Sequence, residues 1–299
     1  MKKLFSICAI LILLTSCKPA EAPVLPEAPA EQSSTEQLFT IEEFARIDGS
    51  TVTIPLTQLM AQRVAGMDYD RAAAIKHNKT DSAYYNLVNG TADIIFVTSP
   101  SEGEYEMAKR AGVEYEIVPV VRDAFVFLVN TENPVDNLTT QQVVDIYSGK
   151  ITNWNQVGGP DVEIIPYQRE TDSGSQTGML DLVMKDTPLM DAPSYKVNGM
   201  EGLINVISAY DNADTALGYS YYYYASSMYL KDTIKLLEIN GVAPNNSTVA
   251  AQQYPYTTAY YAVIRSDEPE DSFARRLIAY LLSEDGQALA EEAGYVPLD

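Results

Sequence analysis

Residues 168–177 read Gln-Arg-Glu-Thr-Asp-Ser-Gly-Ser-Gln-Thr, and they join a predicted strand at 162–167 to a predicted helix at 179–184. The backbone N–H groups at a helix start have no intrahelical acceptors and carry a partial positive charge. At this start the chain places the guanidinium of Arg169, two serine hydroxyls and a glycine. Such a combination suits a tetrahedral oxyanion. Capping of the helix by Ser173 would explain the serine equally well.

Strands and helices alternate along the chain on both sides of this stretch. Apolar runs predict strands at 94–97, 115–120, 124–129, 162–167, 217–219, 234–239 and 257–264. Helices are predicted at 102–111, 139–147 and 202–210, and one or two at 272–293. Regular alternation predicts an α/β protein with mostly parallel sheets flanked by helices. In such sheets, ligands bind where strands end and loops enter helices.

Two further loops resemble the one that contains Arg169. One loop spans 47–56 and leads into a helix with residues 58–64, and the other spans 77–82 and leads into a helix at 83–88. Each loop carries hydroxyl side chains at a helix start, where helix capping would contribute about 1 kcal/mol. Three such starts and one arginine favour a shared anion site, provided that the fold brings them together.

The composition excludes several classes of function. The 299 residues are 46% hydrophobic and carry a formal net charge of −21, which argues against binding nucleic acid or an anionic membrane face. His77 is the only histidine, so a structural zinc site or a Ser-His-Asp triad is not expected. We expect no metal and no cofactor.

The N-terminus has the pattern of a lipoprotein signal peptide. Basic residues precede an apolar run at 4–14, which is shorter than the roughly twenty residues that span a bilayer. The run ends in Leu-Thr-Ser-Cys17, which resembles the lipobox of bacterial lipoproteins, where the cysteine is acylated after cleavage. An ordinary signal peptide with an incidental cysteine is the alternative. We therefore predict a signal peptide at 1–16 and an anchor at Cys17. A disordered linker rich in Pro, Ala and Glu should follow at 18–37.

Several motifs carry a more specific resemblance. The stretch from Arg169 matches Arg-x-x-x-Ser-Gly-Thr, with serine at the last position, and residues 145–154 are similar to a second-lobe signature. Residues 49–56 resemble a first phosphate loop. Together these stretches resemble the phosphate-binding component of bacterial phosphate ABC importers, over nearly all residues from about 44 to 299.

The resemblance implies the type II periplasmic-binding-protein fold, with two lobes and two crossover hinge strands. Lobe 1 would comprise 38–121 and 257–299, and lobe 2 would comprise 122–256. Such a protein is expected to be a lipid-anchored monomer on the extracytoplasmic face of the cell membrane. It would capture inorganic phosphate, deliver it to an ABC permease and catalyse no reaction. Ligand would bridge the lobes and favour their closed arrangement.

Carried over by position, the resemblance implies one phosphate-binding set. Its members are hydroxyl, acidic, glycine and arginine residues of the helix-start loops and one strand end: Ser50, Thr51, Thr80, Asp81, Ser82, Thr98, Arg169, Ser173, Gly174 and Ser175. Arg169 is the only positive charge expected in the pocket.

The chain departs from the family at two places. The second loop, usually rich in Gly and Ser, has bulkier residues at 78–82, and some relatives place at Thr98 an aspartate that accepts the phosphate proton. Asp81 or Asp172 would have to replace that acceptor. A binding protein for a sulfate-like oxyanion or a small organic phosphate is therefore the alternative. A secreted phosphatase or esterase is a remote alternative, because the chain lacks a Gly-x-Ser-x-Gly elbow.

Two aromatic features are expected to be structural. The run at 221–224, four consecutive tyrosines, is predicted to pack at a lobe surface or at the mouth of the site, and Trp154 is predicted to lie in the core.

Overall fold

The computed structural model describes residues 38–171 and 173–298 of the chain. The predicted signal peptide at 1–16, the anchor at Cys17, the linker that follows it and Asp172 lie outside these described residues. Within the described ranges, every helix is too short or too polar to span a lipid bilayer.

Strands and α-helices alternate through the described residues. The strands are β1 Ile47–Gly49, β2 Ile94–Val97, β3 Tyr115–Asn130, β4 Asn137–Leu138, β5 Ile165–Pro166, β6 Gln168–Arg169, β7 Lys196–Val197, β8 Ala216–Tyr221, β9 Ile234–Leu236, β10 Glu238–Ile239 and β11 Thr257–Arg265. The helices are α1 Ile41–Phe44, α2 Ile54–Val64, α3 Tyr69–Ala73, α4 Thr80–Val88, α5 Glu102–Ala111, α6 Thr140–Tyr147, α7 Gly174–Gly178, α8 Met200–Ser208, α9 Asn246–Ala250, α10 Phe273–Leu281 and α11 Glu284–Glu292. Helix α7 continues directly into a π-helical segment, Met179–Met184.

Local sequence explains where the predicted helices begin and end. Helix α5 has the predicted bounds, because the Ser101 hydroxyl accepts from the Glu104 N–H and the Glu104 carboxylate accepts from the Ser101 N–H in a capping box. Gly112 ends the helix in the left-handed conformation, with φ of 71°. Thr139 caps α6 in the same way as Ser101 caps α5.

One mixed sheet of seven strands runs through the described part of the molecule, in the order β1-β2-β11-β3-β8-β5, with β9 also paired to β3. The long strand β3 pairs with β11 as far as Ala124, opposite Thr257. From Phe125 to Leu128 it pairs with β8 instead. Strand β3 therefore connects two halves of the molecule. This change of partner lies close to the predicted lobe boundaries at residues 121 and 257, which remain predictions.

The prediction of an α/β fold with helices flanking the sheet is confirmed, but the sheet is not mostly parallel. Strand β11 runs antiparallel to both β2 and β3, and β3 runs antiparallel to β8 and β9. Only β1 with β2 and β5 with β8 are parallel pairs of this sheet. The reason is that the connecting strands β3 and β11 cross the molecule in opposite directions, which a local strand pattern does not reveal.

The core is continuous through both halves and contains most of the tyrosine run. Trp154 is fully buried, as predicted, and its indole N–H donates to the Thr215 carbonyl at 3.1 Å. The predicted position of the run at 221–224 on a lobe surface is wrong for three of its tyrosines, whereas Tyr221 does line the cavity described below. The first, third and fourth tyrosines of the run are at most 7% exposed. Tyr223 stacks on Tyr295 with ring centroids 3.9 Å apart, and its hydroxyl donates to the Ala293 carbonyl. The run begins at the last residue of β8 and continues into the helical segment that follows, and this position could not be read from composition.

Candidate oxyanion-binding site

A cavity of about 440 Å³ brings the three helix-start loops together. All ten residues predicted to bind the ligand line this cavity, from the first loop to the third: Ser50, Thr51, Thr80, Asp81, Ser82, Thr98, Arg169, Ser173, Gly174 and Ser175. Six further residues that the sequence did not indicate complete the lining: Val52, Lys79, Glu170, Gly199, Met200 and Tyr221. Nearly 120 residues of sequence separate the first and the third loop, so the fold creates this site.

The first loop follows β1 and turns sharply into α2. A Cβ at Gly49 would lie 2.7 Å from the Phe96 carbonyl oxygen, so only glycine permits this approach to β2. The Ser50 N–H donates to the same carbonyl at 2.9 Å. The Ser50 hydroxyl is buried and has no hydrogen-bond partner among the described residues. Buried polar groups are nearly always paired, and because Ser50 lines the cavity, a ligand there could pair this hydroxyl.

The second loop ends at Lys79, which precedes the first residue of α4. Lys79 has φ of 71° and ψ of 169°, and it makes no side-chain cap to the helix. No side-chain oxygen of the cap residue therefore competes with a ligand for the N–H groups at this helix start. The first turn of α4 faces the cavity, where Thr80 is buried and Asp81 and Ser82 are exposed.

The third loop connects β6 to α7 and approaches the second loop closely. The Ser173 hydroxyl caps α7 by accepting from the Gln176 N–H at 3.2 Å. A Cβ at Gly174 would lie 2.5 Å from the Thr98 hydroxyl oxygen and 2.7 Å from that of Thr80. A glycine is thus required where the two sides of the cavity meet.

Arg169 is held rigidly at the end of β6 and is only 6% exposed. Its Nε donates to the Val197 carbonyl at 3.1 Å, and its backbone N–H donates to the Tyr219 hydroxyl at 2.8 Å. Among the described residues, the two terminal nitrogens of the guanidinium have no hydrogen-bond acceptor. Burial lowers the pKa of Arg169 from its usual value, but an arginine remains a cation at neutral pH. The group can therefore offer a bidentate pair of N–H donors to an oxyanion.

Thr98 and Tyr221 lie at the ends of two strands and contribute hydroxyls to the cavity. Thr98 follows β2 and is buried. Tyr221 ends β8, and its hydroxyl donates to the Gly174 carbonyl at 3.1 Å. Burial raises the pKa of Tyr221 far above its usual value, so the phenol stays protonated. Its position at the carboxyl end of a strand could have indicated it from the sequence, as for the other loops.

Two features of the cavity correct the sequence-based expectations. Arg169 is not its only positive charge, because Lys79 also lines it and is exposed at the rim. The acids that line the described part of the cavity, Asp81 and Glu170, are exposed rather than buried. Asp81 lies where the sequence placed it, but not in the desolvated position that a selective proton acceptor requires.

Known proteins of similar sequence include phosphate-binding proteins. The chain is 24% identical to the phosphate-binding protein PstS of Borreliella burgdorferi over 265 residues, which cover 85% of this chain and 90% of that protein. It is 26% identical to the protein SphX of Synechococcus elongatus over 304 residues, covering 95% of this chain and 88% of that protein.

Solved structures share the fold. A substrate-binding protein from Clostridium perfringens, solved with bound phosphate, superposes with a TM-score of 0.66 at 24% identity, over 85% of this chain and 98% of that one. An ABC-type phosphate transport receptor from Vibrio cholerae gives a TM-score of 0.62 at 25% identity, over 84% and 98%. The two-lobed α/β fold inferred from the sequence is thereby confirmed. The sequence pattern of the PBP superfamily domain matches residues 26–285, and the chain belongs to that superfamily.

Proposed function

We propose that this chain is an extracytoplasmic substrate-binding lipoprotein that captures inorganic phosphate and delivers it to the permease of an ABC transporter. It acts as a monomer, without metal or cofactor, and releases its ligand chemically unchanged. The names of the relatives and the phosphate bound to the Clostridium protein support this ligand.

One observation carries the proposal. Arg169, which is 6% exposed, lines a cavity rich in hydroxyls and helix starts, and no described residue accepts from the two terminal nitrogens of its guanidinium. A buried cation without an acceptor is costly, and a bound oxyanion supplies the missing acceptors. The unpaired Ser50 hydroxyl on the opposite side supports the same occupant.

The direct test is Arg169→Ala in the full chain, with phosphate binding measured by calorimetry. Removing a charge-assisted partner of a buried anion should cost about 2–5 kcal/mol, which is more than tenfold in affinity. Arg122→Ala is the matched control, because Arg122 is half-buried, donates to the Pro297 carbonyl and lies outside the cavity. Wild-type affinity in a folded Arg169→Ala protein would place the ligand elsewhere.

A second candidate ligand is a fully deprotonated oxyanion such as sulfate. It is favoured by the exposure of Asp81 and Glu170, since an exposed carboxylate discriminates weakly between phosphate, which keeps a proton at neutral pH, and sulfate, which keeps none. Competition of sulfate and of a small organic phosphate against inorganic phosphate decides the matter. A preference of at least tenfold for inorganic phosphate is expected. Equal affinities would support the broader oxyanion receptor.

The absence of catalysis and the lipid anchor belong to the same proposal. Incubation with a chromogenic phosphate ester should give no turnover, and sustained turnover would favour the phosphatase alternative. Cys17 lies outside the described residues, so its acylation rests on the lipobox-like sequence alone. The full chain should fractionate with membranes, and Cys17→Ala should appear as unprocessed or released protein.

A further inference from the structure

Asp48 is a buried carboxylate next to the first loop whose role the phosphate contacts do not explain. It is 3% exposed, lies in the middle of β1, and is not part of the cavity lining. Four N–H groups donate to it. The backbone N–H groups of Gly49 and Asn78 reach Oδ1 at 2.7 and 2.8 Å, and the side-chain amides of Asn78 and Asn86 reach Oδ2 at 2.7 Å each. A buried carboxylate is tolerated only with such partners.

These hydrogen bonds connect separate parts of the site. Asn78 belongs to the second loop and lies 30 residues from Asp48, whereas Asn86 lies 38 residues away, within α4. One carboxylate therefore fixes α4 at its entrance and along its body against β1, the strand that leads into Ser50. The first and second loops are held in one relative position through a single side chain.

The backbone at Lys79 explains why such a fixation is needed. Its φ of 71° and ψ of 169° fall in a region that essentially only glycine occupies. A strained conformation persists only where neighbouring contacts determine it. Asp48 provides these contacts by holding both the backbone and the side chain of Asn78, the residue before Lys79. His77 secures the other side of the loop, with its Nε2 2.7 Å from the Thr57 hydroxyl.

We propose that Asp48 is a positioning residue for oxyanion binding, which aims the first turn of α4 at the cavity by fixing Asn78 and Asn86. This inference rests on the proposed function. Asp48 does not touch the ligand. It sets the direction of donors that do, as the outer partners of metal ligands set the direction of those ligands.

Asp48→Asn tests the proposal with little change of shape. The new amide would face the side-chain amides of Asn78 and Asn86, donor against donor. We expect the Kd of inorganic phosphate to rise by about 10–100-fold, the range typical of lost outer-sphere partners. Amide hydrogen exchange at residues 79–82 should also become faster in the phosphate-free protein. The double variant Asp48→Asn/Asn86→Asp returns a carboxylate to the cluster and should recover part of the affinity.

Asp93→Asn is the matched control. Asp93 precedes β2, outside the cavity, and accepts from Arg46 and Arg265. This variant should lose stability but keep the wild-type Kd. If Asp48→Asn binds phosphate as tightly as wild type, or if both variants lose affinity equally, the positioning role is refuted.

If Asp48→Asn does not fold, Asn78→Ala decides instead. That change deletes one donor at an exposed residue, so it should weaken binding several-fold, and an unchanged Kd would refute the proposal. Failure of the wild-type chain to bind phosphate would instead refute the proposed function.

Discussion

Lys79 lies at the rim of the cavity and combines a useful charge with an unfavourable backbone. Its φ of 71° and ψ of 169° fall in a region of backbone conformation that glycine usually occupies. A residue with a side chain adopts this conformation at a cost of about 1–3 kcal/mol. The same residue adds a second cation to a cavity that contains Arg169. We infer that the strain is retained for the charge, because a glycine at this position would relieve the strain and remove the ammonium group.

Lys79→Gly and Lys79→Ala separate the two effects. Both variants remove the charge and should weaken phosphate binding to a similar extent. Only Lys79→Gly relieves the strain, and after the entropy cost of glycine it should gain about 0.5–2 kcal/mol of stability. Urea unfolding without phosphate measures the gain, and calorimetry measures the affinity. Equal stability of the two variants would show that Lys79 is not strained.

Single residues of the site were largely predictable, and the failures have a common cause. The ten residues predicted to bind the ligand do line one cavity. They could be predicted because hydroxyls at helix starts and family motifs are both recognisable in short stretches of sequence. Lys79 was missed because it precedes the helix and carries no hydroxyl. Asp48 was missed because its partners, Asn78 and Asn86, are remote in sequence, and no local pattern pairs an aspartate with them.

At the scale of elements, the position of a strand was easier to predict than its partners. The apolar runs at 115–120 and 124–129 form one strand, β3, because the intervening residues continue the extended chain across the molecule. The apolar pattern is interrupted by Arg122 and Asp123, but Asp123 is 1% exposed and belongs to the strand. Strand direction follows from the order of the whole chain, so the mixed sheet could not be derived from periodicity.

Asp123 occupies the point at which β3 leaves β11 for β8. The Tyr260 hydroxyl of β11 donates to its carboxyl, as do the backbone N–H groups of Ala124 at 2.7 Å and Tyr223 at 3.1 Å. Burial raises the pKa of Asp123 to about 7, and these three hydrogen bonds oppose the rise. Tyr221 and Tyr295 are the other titratable side chains that influence Tyr260 here, and their own pKa values are raised by burial.

The raised pKa of Asp123 predicts a pH dependence of stability. Because the folded state holds the proton up to a pH of about 7, and the unfolded state loses it near 3.9, the stabilising contribution is complete below about pH 4. It decreases by at most about 1.4 kcal/mol per pH unit up to pH 7 and is then absent. Subtracting the unfolding free energy of Asp123→Asn from that of wild type at each pH isolates this contribution. A difference that stays constant from pH 4.5 to 7.5 would mean that Asp123 does not titrate in this range.

At the scale of the whole molecule, the cavity depends on contact between two halves that share the strands β3 and β11. Residues 50–98 supply one wall, and residues 169–200 supply the other, together with Tyr221. The family resemblance predicted this arrangement, whereas composition and periodicity did not. The lobe boundaries near residues 121 and 257 remain predictions. They are supported by the change in the pairing of β3 opposite Thr257.

Gly174 is the point at which closure of the two walls can be tested. A Cβ there would lie 2.5 and 2.7 Å from the hydroxyl oxygens of Thr98 and Thr80 on the opposite wall, much closer than a carbon atom and an oxygen atom normally approach. Gly174→Ala should therefore leave the separated walls undisturbed and oppose their approach. If, as proposed, phosphate binds more tightly when the walls are closed, a change that opposes closure should raise its Kd at least tenfold.

Gly103→Ala is the control for this change, since the nearest atom to its added Cβ is the Ser101 hydroxyl oxygen at 3.8 Å and α5 has room for it. Alanine should even stabilise this helix by about 1 kcal/mol. In small-angle scattering, phosphate should reduce the radius of gyration of wild type and Gly103→Ala, but not of Gly174→Ala. If Gly174→Ala contracts with phosphate and keeps the wild-type Kd, the walls do not need to meet at this residue.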